Sequence, residues 1–152
     1  MDPLTLIGVG GAVASLIDLT CRAIRGIREM QSHLQPGYLA LAWLDFQSQL
    51  VALKAALSKI QDWLDATSAA GDIEAHHQLV MDMDMSMSCC RMLVGHLNGK
   101  VLELREKEYG RFELEQKIRG MMALDGKGIE DLRKMLDRQT AALTLLLVAC
   151  SW

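Results

Sequence analysis

Proline and aromatic side chains are scarce, with two prolines, Pro3 and Pro36, and an aromatic fraction of 5%. The apolar content of 51% is carried by Leu, Ala and Met more than by Val or Ile, which excludes a mostly β fold and favours helices. A basic excess is missing as well. Lys and Arg number 16 against 19 Asp and Glu, a net charge of -3, so no dedicated nucleic-acid binder is expected. The charged fraction of 23% and a mean hydropathy of +0.14 exclude a disordered tail. The four cysteines, Cys21, Cys89, Cys90 and Cys150, show no C-x-x-C spacing and read as reduced thiols of an intracellular protein. Cys89 and Cys90 point about 100° apart on a helix, a poor disulfide geometry, and are expected to act as small buried hydrophobes.

No apolar run reaches the roughly 20 residues that span a bilayer. The uncharged stretch from Leu4 to Ile17 has fourteen residues and no basic leader before it, so it reads neither as a transmembrane helix nor as a signal peptide. The apolar run ending at Trp152 is also short and has no closing loop. The expectation is one domain forming the N-terminal part of a longer multidomain protein. At this length a chain buries roughly 70% of its unfolded surface without metal or disulfide.

What is present is a set of long periodic helices. Helix one is predicted over about 3 to 32, with Pro3 in its first turn, ahead of a loop at Gln35-Pro36-Gly37. Helix two follows over about 37 to 67, where Leu39, Trp43, Phe46, Leu50, Leu53, Leu57, Ile60 and Leu64 step by four and three. Asp72 is a plausible N-cap for helix three, which starts at 73 with the seam Ile73, His76, Val80, Met83, Met87, Cys90, Val94, Leu97, Val101 and Leu104. Asn98-Gly99 offers a stop, but the periodicity runs past it, and continuation is predicted. A short helix over about 112 to 124 and a last one over about 129 to 150 complete the set, the last with Ile129, Leu132, Leu136, Gln139, Leu143, Leu146 and Cys150 on one face. The charged stretch from Lys100 to Arg119 reads as a solvated rim. The fold class is therefore all-α: an antiparallel four-helix-bundle-like core with one additional short helix, about five in all.

No catalytic constellation is visible, and neither an enzyme nor a cofactor is expected. The serines lie in no nucleophile elbow, and Gly8, Gly10 and Gly11 follow no strand, so they make no phosphate-binding turn. The alternating methionines from Met81 to Met87 suggest copper at first sight. On a helix, however, Met83 and Met87 fall in the seam while Met81, Met85 and Met92 fall opposite, so the ligands divide between two faces. Packing or a partner-facing patch is the expected use. His76 and His77 read as helix-start residues, not metal ligands.

Helix one carries the most distinctive pattern. Leu6, Val9, Val13, Leu16, Ala23, Ile27 and Met30 share one face, and Gly8, Gly11, Ala12 and Ser15 gather on the other. Small residues four apart let helices approach closely in lipid or in an oligomer. They also admit a crowded neighbour inside a soluble bundle. Glycine costs about 1 kcal/mol per residue against alanine in a helix, so its repeated use asks for a reason. Arg22, Arg25 and Arg28 follow as a basic stem suited to an anionic leaflet.

The opening Met1-Asp2-Pro3-Leu4, the Gly/Ala-rich first helix, the Leu50-x-x-Leu53-x-x-x-Leu57 core of helix two and the closing segment from Leu136 to Leu147 together resemble a known family. It is the fungal N-terminal domain of STAND proteins, a HeLo-like domain found ahead of NACHT, NB-ARC or ankyrin-repeat regions in fungal NLR-like proteins. The similarity covers nearly the whole chain, and its two ends are the more specific parts. The resemblance implies a helical effector or adaptor related in design to the HeLo cell-death domain and to the four-helix bundle of mixed lineage kinase domain-like protein. In that group the first helix is thought to be released on oligomerisation and to enter the plasma membrane, executing regulated cell death in non-self recognition. Carried onto this chain, the entering segment runs from Leu4 to Ile17, including Leu4, Leu6, Ile7, Val9, Val13 and Leu16, with Gly8, Gly11, Ala12 and Ser15 at contact positions. A cytoplasmic resting state that relocates to the plasma membrane follows, with membrane lipid and a second copy as partners. The rival expectation is an adaptor or dimerisation module that binds a helical partner through Met81, Met85 and Met92.

Overall fold

The computed structural model describes residues 3–106, 110–123 and 129–150, and every regular element among them is helical. In chain order these are α1 (Pro3–Gln31), α2 (Tyr38–Ala70), a single 3-10 turn (Ile73–His76), α3 (His77–Glu106), α4 (Arg111–Ala123) and α5 (Ile129–Cys150). The residues around Tyr109 and Asp125, where breaks between helices are expected, lie outside the described set, apart from Gly110.

Two boundaries differ from those read in the sequence. Helix α2 continues to Ala70 and closes on Gly71, whose φ of 75° is left-handed. The Gly71 N–H bonds Ser68 O and the Asp72 N–H bonds Thr67 O, both at 3.2 Å, a pair that satisfies the last carbonyls of the helix. Asp72 makes no side-chain cap, and a 3-10 turn follows it, so α3 begins at His77 instead of residue 73. Helix α3 does run through Asn98-Gly99 to Glu106.

Helix α1 packs against α2 and α3, and α5 packs against the same two, while α4 lies on α5. Helices α2 and α3 therefore occupy opposite corners of a four-helix square, although they are consecutive in the chain. Five polar contacts fix directions. Trp43 near the start of α2 donates from Nε1 to the Ile27 carbonyl near the end of α1 at 3.0 Å, so these helices are antiparallel. Arg91 donates to the Ala12 carbonyl at 2.7 Å and Arg105 pairs with Glu29 at 2.8 Å, so α1 and α3 run side by side in the same direction. Arg133 near the start of α5 reaches Asp45 near the start of α2, and Ser86 in the first third of α3 bonds Gln139 midway along α5 at 2.8 Å. Helix α5 is thus parallel to α2 and antiparallel to α3. The short loop after α1 lays α2 antiparallel against it, whereas the turn after α2 carries the chain to the far corner.

The seams meet in one core. From Trp43 to Leu64 the heptad positions of α2 are buried, as are Val80, Met83, Met87, Cys90, Val94, Leu97, Val101 and Leu104 of α3 and Leu132, Leu136 and Leu143 of α5. Leu39, His76, Gln139, Leu146 and Cys150 are only half-buried. The side chains of Ile73 and Ile129 lie outside the described set. Gln139 tolerates its seam position because the Ser86 hydroxyl donates to it. The rim read over Lys100 to Arg119 is interrupted, since Leu114 and Ile118 are buried. Helix α4 lies at the end of the bundle where α1 stops and α2 starts, and Glu115 there accepts the Gln35 N–H at 3.1 Å.

Candidate functional site

The first four turns of α1 divide into a buried stripe and an open one. Val9, Val13 and Leu16 are at most 5% exposed, while Gly8, Gly11 and Ser15 are exposed and Ala12 is half-buried. No atom of another helix among the described residues lies within 4 Å of the place where a Cβ would stand on Gly8, Gly10 or Gly11. Among the described residues, then, no neighbour crowds these three glycines. The glycine that does so is Gly26, where an added Cβ would come within 2.7 Å of Val101 Cγ1. The side chains of Leu4, Leu6 and Ile7 lie outside the described set.

The two halves of α1 are held differently. Ala23, Ile24, Ile27 and Met30 bury the second half, which also receives the Trp43 hydrogen bond, the close approach of Val101 and the Arg105 ion pair. Among the described residues, the first half is held by Val9, Val13 and Leu16, by the half-buried Ile17, and by a hydrogen bond from Arg91 to the Ala12 carbonyl. Between them Thr20 is fully buried and returns its hydroxyl to the Leu16 carbonyl at 2.7 Å, a local bond that competes with the helix ladder and favours bending there.

Of the basic stem, Arg22 is bound by Asp18 one turn back. Arg25 and Arg28 are exposed. The end of the bundle that holds the start of α1 also holds the end of α2 and the start of α3. There Asp62, Asp65, Asp72, Glu74 and Asp82 are exposed and Asp84 half-buried, with no Lys or Arg between residues 60 and 90.

The methionines separate as their spacing predicts. Met83 and Met87 are buried, while Met81, Met85 and Met92 are 38%, 76% and 78% exposed. Among the described residues, no group of three His, Cys, Asp or Glu side chains is placed to hold a metal ion. His76 instead meets Trp63 edge-on, ring centroids 5.4 Å apart. Only Cys90 of the four thiols is fully buried, the others being half-buried. Burial, and secondarily its neighbour Cys89, pushes the Cys90 thiol up to about 12.

Sequence reasoning overlooked the outward side of α2. Leu41, Leu44 and Val51 are 63%, 47% and 43% exposed. The same wheel that turns Trp43, Phe46 and Leu50 inward turns these outward. Two clefts flank the start of α2 around Tyr38, one beside α4 and one beside α5. Their charges are largely committed, Arg133 to Glu130 and Asp45 and Glu115 to the Gln35 N–H. No described helix is long and apolar enough to cross a membrane. Comparison with protein families, with curated sequences and with solved structures finds no match.

Proposed function

We propose that this chain is a non-enzymatic signalling and effector domain of the HeLo-like kind, whose first helix leaves the bundle, associates with other copies and enters a membrane to execute regulated cell death. The observation that carries the reading is the asymmetry of α1: a charge-free first half whose described apolar contacts are Val9, Val13, Leu16 and the half-buried Ile17, joined at Thr20 to a second half clamped by Trp43, Val101 and Arg105. Withdrawing Val9, Val13 and Leu16 into water costs roughly 5–9 kcal/mol. Withdrawal into hydrocarbon offsets most of that cost, so a lipid surface favours a release that water opposes. The open Gly8, Gly11 and Ser15 stripe then supplies the close-contact face between released helices.

The segment from Leu4 to Ile17 is about 21 Å long as a helix, shorter than the roughly 30 Å of a hydrocarbon core. It embeds in one leaflet, and Arg25 and Arg28 follow at the headgroups. The acidic end of the bundle opposes an anionic leaflet within about one Debye length, 8–10 Å, so the first half of α1 must extend beyond it.

The test is dye leakage from anionic and neutral vesicles by the purified chain, with helicity followed by circular dichroism. Leakage from anionic vesicles is expected, and Gly8→Leu with Gly11→Leu removes it while the fold persists, because both positions face open space. Undiminished leakage by that folded variant would overturn the role of the small face. The exposure of Met85 and Met92 favours a second reading, an adaptor without membrane activity. It predicts that Met85→Glu breaks a complex with a partner protein while the glycine variants leave that complex intact.

A further inference from the structure

Two outward faces of the bundle are apolar, oppositely charged and point in opposite directions. On α2, between Leu41 and Lys59, Leu41, Leu44 and Val51 are exposed beside the exposed cations Lys54 and Lys59. The acid within that span, Asp45, is bound by Arg133. On α3, between Met81 and Met92, the exposed methionines lie beside Asp82 and Asp84. The cation within that span, Arg91, donates to the Ala12 carbonyl, a neutral group that leaves its charge in place, so Asp82, Asp84 and Arg91 together give the span a net charge of -1. The α2 face therefore carries net positive charge and the α3 face net negative charge around an apolar centre, and the net signs are complementary.

We propose that the α2 face of one copy docks on the α3 face of a second copy. Methionine is suited to the contact, since its flexible thioether fills the gaps between facing helices. Because α2 and α3 stand at opposite corners, the contact is heterologous: each copy keeps a free α2 face at one side and a free α3 face at the other. Such contacts do not close on themselves in pairs and propagate into open rows. The α2 face spans about five helical turns and the α3 face about three, one helix wide and less than a standard interface of about 1,600 Å², so assembly is concentration-dependent and responds to a membrane that gathers copies. The contact deepens the self-association in the proposed function by naming its surfaces, and it leaves α1 free to move.

The experiment uses the purified chain in solution without lipid, with mass read by sedimentation velocity over a range of concentrations. The wild-type chain is expected to grow beyond a dimer as concentration rises, and to shrink when salt is raised to about 1 M, where the Debye length falls to roughly 3 Å. Leu44→Glu with Val51→Glu spoils the α2 face, and Met85→Gln with Met92→Gln spoils the α3 face. Each variant alone stays monomeric. Their equimolar mixture has one intact face of each kind and stops at a dimer. A wild-type chain that stays monomeric, either variant growing alone, or a mixture that stays monomeric each overturns the proposal. Lys54→Glu with Lys59→Glu, at exposed positions that leave the core untouched, guards against misfolding of the first pair. It lowers the apparent association constant by about tenfold or more if the charges steer and hold the contact, and an unchanged constant overturns their role. Normal rows with no vesicle leakage would defeat the membrane reading alone, and leakage by a chain that forms no rows would defeat only this contact.

Discussion

Replacing glycine by alanine at three places in α1 gives one chemical change with two opposite outcomes. In a helix interior the exchange stabilises by about 1 kcal/mol through propensity alone. At Gly8 and Gly11 nothing among the described residues opposes it, because no atom of another helix lies within 4 Å of the new Cβ. Each variant should unfold about 2–4 °C higher, the shift that about 1 kcal/mol produces in a chain of this size. At Gly26 the same methyl meets Val101 Cγ1 at 2.7 Å. Val101 is 1% exposed, and a β-branched side chain in a helix has essentially one rotamer to offer. Overpacking of this kind costs about 1–3 kcal/mol, so Gly26→Ala should melt roughly 2–12 °C below Gly11→Ala. The comparison cancels propensity and leaves the α1/α3 approach. Adding Val101→Ala to Gly26→Ala should recover part of the loss, with a coupling of about 1 kcal/mol or more. The assay is thermal and urea unfolding followed by circular dichroism at 222 nm. A destabilised Gly8 or Gly11 variant would mean that the small face is covered at rest. A Gly26 variant as stable as the Gly11 variant would refute the close approach.

Other consequences follow from single contacts. Trp43→Phe leaves the buried Ile27 carbonyl without its indole donor and should lower stability by about 1–3 kcal/mol in urea unfolding, whereas a loss below about 0.5 kcal/mol would show that the carbonyl finds another partner. The hydrogen bond from Arg133, with its positive charge, holds the Glu130 carboxyl below its ordinary value of 4.5. A carboxylate with a depressed folded pKa contributes stability that is fully present above its unfolded value and is lost as pH falls through the folded one. Glu130→Gln should therefore flatten stability against pH below about 4.5, with little change near neutrality beyond a weak, solvent-screened pair. An unchanged acid limb in chemical unfolding series would contradict the pairing.

Much of the fold is legible in the residues. The 3.5-residue spacing from Trp43 to Leu64 needs a flat partner along its whole length and leaves little freedom in helix type or face. The same spacing carries α3 through Gly99, because Val101 and Leu104 continue the buried seam and outweigh a glycine that costs about 1 kcal/mol. The corner that each helix occupies was less accessible. Periodicity is local, whereas the diagonal placement of α2 and α3 depends on a 3-10 turn after Gly71 and on pairs such as Arg91 with Ala12, distant in sequence. Within the candidate site, the inward and outward division of the methionines followed from a wheel, and the openness of Gly8 and Gly11 did not. A small residue looks the same in sequence whether a neighbour approaches it, as at Gly26, or solvent does. The outward Leu41, Leu44 and Val51 were hidden beneath the stronger inward signal of the same helix.

The release of the first half of α1 is tested most directly by the thiol of Cys90. Cys90 is fully buried, with its ionisation pushed up to about 12, and it neighbours Arg91, which grips the Ala12 carbonyl. In a chain whose other three cysteines are replaced by alanine, maleimide labelling at neutral pH reports whether that part of the core is open. The account predicts protection in solution and with neutral vesicles, and rapid labelling when anionic vesicles are added. Leakage from anionic vesicles while Cys90 stays protected would contradict it, because the membrane would then be breached by a bundle that had not opened.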